Sequence, residues 1–88
     1  MDKKELIQFP CDFTIKIMGL NTDEFVAEIA DIIAQHSQVF NREIHITTKQ
    51  SSNGKYLSIS AVIQAQSQQY LDKIYISINK HKLVKFVL

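Results

Sequence analysis

The chain has 88 residues, 45% hydrophobic and 22% charged, with a formal net charge of +1 at pH 7. That length holds one domain with one core, near the small end of what folds alone. The near balance of charge supplies no bulk field for nucleic acid or an anionic membrane, and the single cysteine, Cys11, excludes an intrachain disulfide and suits a reducing cytosol.

In chain order, residues 1–11 form a lead-in and residues 12–88 a single domain. Within the lead-in, Leu6-Ile7-Gln8-Phe9-Pro10 is too short and too interrupted for a signal-peptide core. No stretch reaches the roughly 20 apolar residues of a membrane span, so the expected location is cytoplasmic. The first strand is predicted from Asp12 to Met18, where Phe13, Ile15 and Ile17 alternate with Thr14, Lys16 and Met18. Gly19 is expected to end it in a turn. Asn21-Thr22-Asp23-Glu24 opens a helix, with Asn21 as cap and Glu24 three residues on, as in a capping box. Phe25, Ile29, Ile32, Ile33 and His36 follow at helical spacing.

A second strand is predicted through Ile44 and Ile46 to about Lys49, and Asn53-Gly54 marks a hairpin. The third strand puts Leu57, Ile59, Ala61 and Ile63 on one face and Tyr56, Ser58, Ser60, Val62 and Gln64 on the other. Ser67 caps a second helix with the stripe Leu71, Ile74, Tyr75 and Ile78, from which Ile76 departs. The last strand, Leu83 to Leu88, is expected to place Val84, Phe86 and Leu88 on one face.

This order, βαββαβ, predicts an α+β ferredoxin-like two-layer sandwich: a four-stranded antiparallel sheet in order 4-1-3-2 with both helices on one face. Phe13, Ile15, Ile17, Ile44, Ile46, Leu57, Ile59 and Ile63 are the expected sheet core. The opposite face carries Thr14, Lys16, Met18, His45, Thr47, Tyr56, Ser58, Ser60 and Val62, and no segment is left to cover it.

No pattern for catalysis stands out, and an enzyme is not expected. Cys11, His36, His45 and His81 fall in four different places without metal-ligand spacing, so no metal and no cofactor is expected. Cys11 beside Asp12 has no neighbouring histidine to activate it. Acylphosphatases share the expected architecture, but their phosphate-gripping arginine has no counterpart in Gly19-Leu20-Asn21-Thr22, and the only arginine is Arg42. RNA-recognition modules share the topology and stack bases on aromatics of the two central strands. Here those strands offer Tyr56 alone, with Lys80, His81, Lys82 and Lys85 as the basic counterweight. The strand-to-helix turn Gly19, Leu20, Asn21 and Thr22 presents N–H groups at a helix start, a candidate site for a carboxylate.

Phe9-Pro10 followed by Phe13-Thr14-Ile15-Lys16-Ile17-Met18-Gly19, then Ser51 to Ser60, then Leu83-Val84-Lys85-Phe86-Val87-Leu88, resembles the YbeD-like family of small bacterial proteins across nearly the whole chain. The resemblance implies an ACT-like variant of the ferredoxin-like fold and a role in allosteric control connected with lipoate metabolism. ACT domains usually bind amino acids at subunit interfaces through the loop after the first strand. This chain keeps Gly19 there without the Asp and Pro that precede it in amino-acid-binding members. Lys16 and Ser51 to Lys55 are the exposed positions shared with the family.

The expected function is therefore a non-enzymatic binding or regulatory module. It would act through a small metabolite at Gly19, Leu20, Asn21 and Thr22, or through a protein partner or second copy at Lys16, Met18, Tyr56, Ser58, Ser60 and Val62. RNA binding on the open sheet face is the alternative.

Overall fold

A computed structural model describes residues 8–88, so most of the expected lead-in lies outside the described residues. Seven elements follow: β1 (Cys11–Leu20), α1 (Asp23–His36), α2 (Arg42–His45), β2 (Ile46–Gln50), β3 (Tyr56–Ala65), α3 (Gln68–Asn79) and β4 (Val84–Val87). The strands form one antiparallel sheet in the order β2-β3-β1-β4, the arrangement the periodicities predict.

Residue parity on β1 and β3 explains the core. Ile15 pairs with Ala61, Ile17 with Ile59 and Gly19 with Leu57, so odd-numbered residues of both central strands share one face. That face meets Phe25, Ile29 and Ile33 of α1 and Leu71, Ile74 and Ile78 of α3, all buried in a single cluster. Even-numbered residues point away from the helices.

Gly19 belongs inside β1 rather than in the turn after it, and its φ is not positive. A Cβ at this buried position would collide with the Phe25 ring and the Leu83 carbonyl oxygen. Glycine is needed for close approach, not for turning. The conformational need falls on Gly54, at φ +73°, in the hairpin between β2 and β3. There the Asn53 Oδ1 accepts from the Lys55 N–H, and Ser51 Oγ accepts from the Tyr56 N–H.

Two elements depart from the sequence expectation. The stretch expected to begin the second strand is one helical turn, α2: the Asn41 side chain accepts from the Glu43 N–H and the Asn41 N–H donates to His45 Nδ1, both at 2.9 Å. This reciprocal capping satisfies backbone groups at the start of the turn. Ile44 is consequently 71% exposed and outside the core, and His45 sits on α2 rather than on the sheet face. At the other edge the register of β4 shifts beside Met18 and Gly19. Val84 pairs with Gly19, Phe86 with Met18 and Val87 with Ile17. One residue too many for strict alternation turns Val84 and Val87 inward and leaves Phe86 on the open face, 49% exposed. Leu88 exchanges backbone hydrogen bonds with Lys16, which continues the open-face row. Val84, Phe86 and Leu88 therefore do not share a face.

The capping expectations divide as well. Ser67 Oγ accepts from the Tyr70 N–H at 3.1 Å and caps α3 as expected. At α1 the cap is Thr22, with no side-chain bond, while Asn21, expected to cap, donates its side-chain amide to the Gly54 carbonyl at 2.9 Å. Asn21 thus ties the β1–α1 turn to the hairpin.

Candidate functional site

Strand register builds the open face row by row. One row runs Lys49, Ser58, Met18, Phe86 across β2, β3, β1 and β4. The next carries Thr47, Ser60 and Lys16, with Leu88 beside Lys16. Tyr56 stands opposite Leu20 at one end, and Thr14 opposite Val62 toward the other. All six residues expected to share this surface, Lys16, Met18, Tyr56, Ser58, Ser60 and Val62, lie on it together.

The sequence reading placed neither Phe86 nor Lys49 on this face and named Lys85 only among the basic residues weighed for RNA. Phe86, Lys85 and Lys49 join Met18 and Tyr56 around two small serines. Met18, Ser51, Tyr56, Lys85 and Phe86 line a mostly apolar hollow of about 450 Å³. A volume of that size falls in the range of ligand-binding clefts. The Lys55 ammonium lies 5.7 Å from the Tyr56 ring centroid, a cation–π distance. The signal for Phe86 was present in Val84-Lys85-Phe86-Val87: two β-branched valines three apart cannot share a face at period two unless the strand bulges.

At the opposite end, Asp12, Ser37, Val39, Phe40, His45, Val62, Ile63 and Gln64 line a second hollow of about 350 Å³. β2 pairs only with Leu57–Ala61, so Val62–Ala65 have no strand partner on that side. The α1–α2 segment occupies that margin instead. The Phe40 and His45 rings are 5.6 Å apart there.

Charge is distributed unevenly. α1 carries Asp23, Glu24, Glu28 and Asp31 and neither lysine nor arginine. The sheet rows around the first hollow carry Lys16, Lys49 and Lys85, and among the described residues the one carboxylate facing the same way from β1 or β3 is Asp12. Asp12 is four residues from Lys16, about 13 Å along the strand, and about 20 Å from Met18, both beyond a physiological Debye length of about 8 Å. The balanced total charge conceals a cationic sheet face and an acidic helix.

The turn Gly19, Leu20, Asn21 and Thr22 has a different constitution. The Leu20 N–H donates to the Leu83 carbonyl, Asn21 N–H to Lys55, and Thr22 N–H back to Leu20, at 3.0–3.2 Å. Gly19 is buried beneath Phe25. Thr22 Oγ1 is buried without a partner among the described residues. Nearby, His81 is mostly buried rather than at the surface. Its Nε2 meets Glu28, its Nδ1 accepts from the Leu83 N–H at 3.2 Å, and its ring tilts against Phe25. His36 Nε2 meets Ser77 Oγ at 3.2 Å and links α1 to α3. Each histidine thus has a packing role in a different part of the fold.

Residues 4–88 match the family described as protein of unknown function, DUF493. The chain belongs to that family. A UPF0250 protein of Chromobacterium violaceum is 40% identical over 87 residues, covering 99% of this chain and 97% of its own. A UPF0250 protein of Nitrosomonas europaea is 35% identical over 88 residues, with both chains covered in full. These relatives bear out the YbeD-like resemblance. The solution structure of protein HP0495 from H. pylori covers all of this chain and 94% of its own, with a TM-score of 0.77 at 16% identity. At that identity the likeness concerns the fold, and it supports the ferredoxin-like assignment. None of the helices among the described residues is long and apolar enough to cross a membrane.

Proposed function

We propose that this DUF493 protein is a non-catalytic binding module that regulates a protein partner through the helix-free face of its sheet. The observation that carries this reading is the outward position of Phe86. It completes an apolar hollow with Met18 and Tyr56 on a surface that already holds Lys16 and Lys49. Exposed aromatic and methionine side chains gathered around a concavity are the usual anchors of a recognition surface. The Gly19–Thr22 turn is the weaker candidate, because the N–H groups of Leu20, Asn21 and Thr22 are engaged within the fold. A small metabolite bound there remains the form this reading takes if the sheet face is idle.

Single-stranded RNA on the same face is a second reading, favoured by one observation. Phe86 gives Tyr56 a second exposed aromatic within about 12 Å, from strand and row spacings.

Position-specific photo-cross-linking in living cells tests the proposal. A benzoylphenylalanine at Ser58 is expected to yield a discrete protein adduct that disappears with Phe86→Ala. The same group at Asp31, on α1, is expected to yield none. Equal adducts at both positions, or adducts at Asp31 alone, would sink the assignment of the sheet face.

A further inference from the structure

We infer that the segment this face receives is an acidic stretch of another protein chain, which inserts an apolar side chain into the hollow bounded by Met18, Tyr56 and Phe86. The inference rests on the open-face reading above and adds the chemistry of the occupant.

Three features select that chemistry. The hollow is mainly apolar and has a methionine in its floor, a flexible, polarizable surface that adapts to aliphatic or aromatic side chains. Lys16 and Lys49 on the sheet rows and Lys85 at the rim surround it, and no ion pair among the described residues engages them. Asp12, the nearest carboxylate on this face of β1, is too distant to offset them through physiological salt. An acidic segment meets complementary charge on three sides and leaves no lysine buried against an apolar group.

The same observations disfavour two other occupants. A second copy has the acidic α1 to offer, but that helix turns Phe25, Ile29 and Ile33 into its own core. Val26 and Ile32 are also packed against the core, so the helix brings no free anchor for the hollow. For RNA, one side of the Tyr56 ring faces the Lys55 ammonium, and Phe86 stands on an edge strand beyond Met18. The aromatics wall a concavity instead of forming a flat stack for successive bases.

The test uses the full chain and three fluorescein-labelled probes. One is a pool of dodecapeptides with Leu, Ile, Phe, Met, Tyr or Val at two central positions flanked by Asp and Glu. The second has lysine in place of every acid, and the third is a short oligouridine. Anisotropy is read at low and at physiological salt, with amide NMR shifts to locate binding. The acidic pool is expected to bind, to shift Met18, Ser58, Lys85 and Phe86, and to weaken with salt. Phe86→Ala is expected to reduce affinity about tenfold. Lys16→Glu with Lys49→Glu should reduce it about fivefold or more and flatten the salt dependence, while Asp12→Asn stays within about twofold. An unchanged fold in each variant is checked on the same amide spectra.

Equal binding of the lysine pool, or shifts confined to Gly19–Thr22, overturns the inference. Preference for oligouridine overturns it in favour of RNA and leaves the open face standing. If no probe binds while the Ser58 adduct still forms, the acidic-segment inference falls alone. If the adduct is absent as well, both readings fall.

Discussion

Ile17 and Met18 are consecutive residues of one strand, and they belong to different parts of the protein's chemistry. Ile17 is fully buried between the sheet and the helices; Met18 lies half-covered on the open face and lines its hollow. The same division runs along β3, where Leu57, Ile59, Ala61, Ile63 and Ala65 are buried and Ser58, Ser60 and Val62 are not. Stability is concentrated on the odd face, and the proposed recognition surface lies on the even one. In a domain this small the separation matters, because a binding surface built from core residues would compete with a modest total stability. A pleated strand lets one sequence meet both demands at alternate positions.

The sharpest way to break this comparison is to substitute neighbours of opposite parity. Ile59→Ala is expected to destabilise by about 3 kcal/mol, since it opens a cavity among fully buried side chains. Gly19→Val should cost about as much, because the added side chain meets Phe25 and a backbone carbonyl that cannot move aside. Both are measured by urea denaturation at constant m-value. A loss below about 1 kcal/mol at either site would mean that the odd face is not the core. Gly54→Ala acts locally, through positive φ in the hairpin, and is expected to cost about 1 kcal/mol.

On the even face the expected pattern is inverted. Val62→Glu and Phe86→Asp should each change stability by no more than about 0.5 kcal/mol, as surface substitutions do. Phe86→Asp should nevertheless abolish the Ser58 adduct. Unfolding by either substitution would show that the face is covered and the parity argument reversed.

Much of this division was legible in the sequence because β1 and β3 are long enough for alternation to be unambiguous. Ten residues each, paired along their whole length, leave no freedom of register. Legibility failed where the backbone changes character within a few residues. Glu43-Ile44-His45-Ile46 alternates like a strand, yet Asn41 and His45 close a helical turn through hydrogen bonds that a hydropathy pattern does not register. In β4 a single register shift separates Phe86 from Val84, with which strict alternation would group it, and puts the chief aromatic of the candidate site on the open face. At Gly19 the expected turn gave way to close packing inside β1. A glycine before a helix suggests a ligand cradle, whereas here its missing side chain is filled by Phe25. The basic face was hidden by arithmetic, since α1 and the sheet cancel in the total charge.

A last, pH-dependent effect tests how the two faces are joined at the sheet edge. Tyr75 of α3 donates its phenolic O–H to the Leu88 carbonyl at 3.4 Å, reaching from the helix layer to the end of the strand that carries Phe86. Burial pushes its pKa above the ordinary tyrosine value of about 10. The folded state therefore holds this proton more tightly than the unfolded state. Its contribution to stability is complete below pH 10 and declines as pH rises through the elevated folded value, where the unfolded phenol ionises first. Tyr75→Phe should reduce the steepness of that alkaline decline and remove the anchor on Leu88, with about 1 kcal/mol or less lost at neutral pH. Comparing the urea midpoints of the two proteins from pH 7 to pH 11 checks the sign. Because Leu88 shares hydrogen bonds with Lys16, the amide shifts of Lys16 should follow the same change while those of Thr47, across the sheet on β2, stay fixed. Movement of both would mean that the open face responds as one unit to its edge, and that the helix layer and the recognition surface are coupled rather than separate.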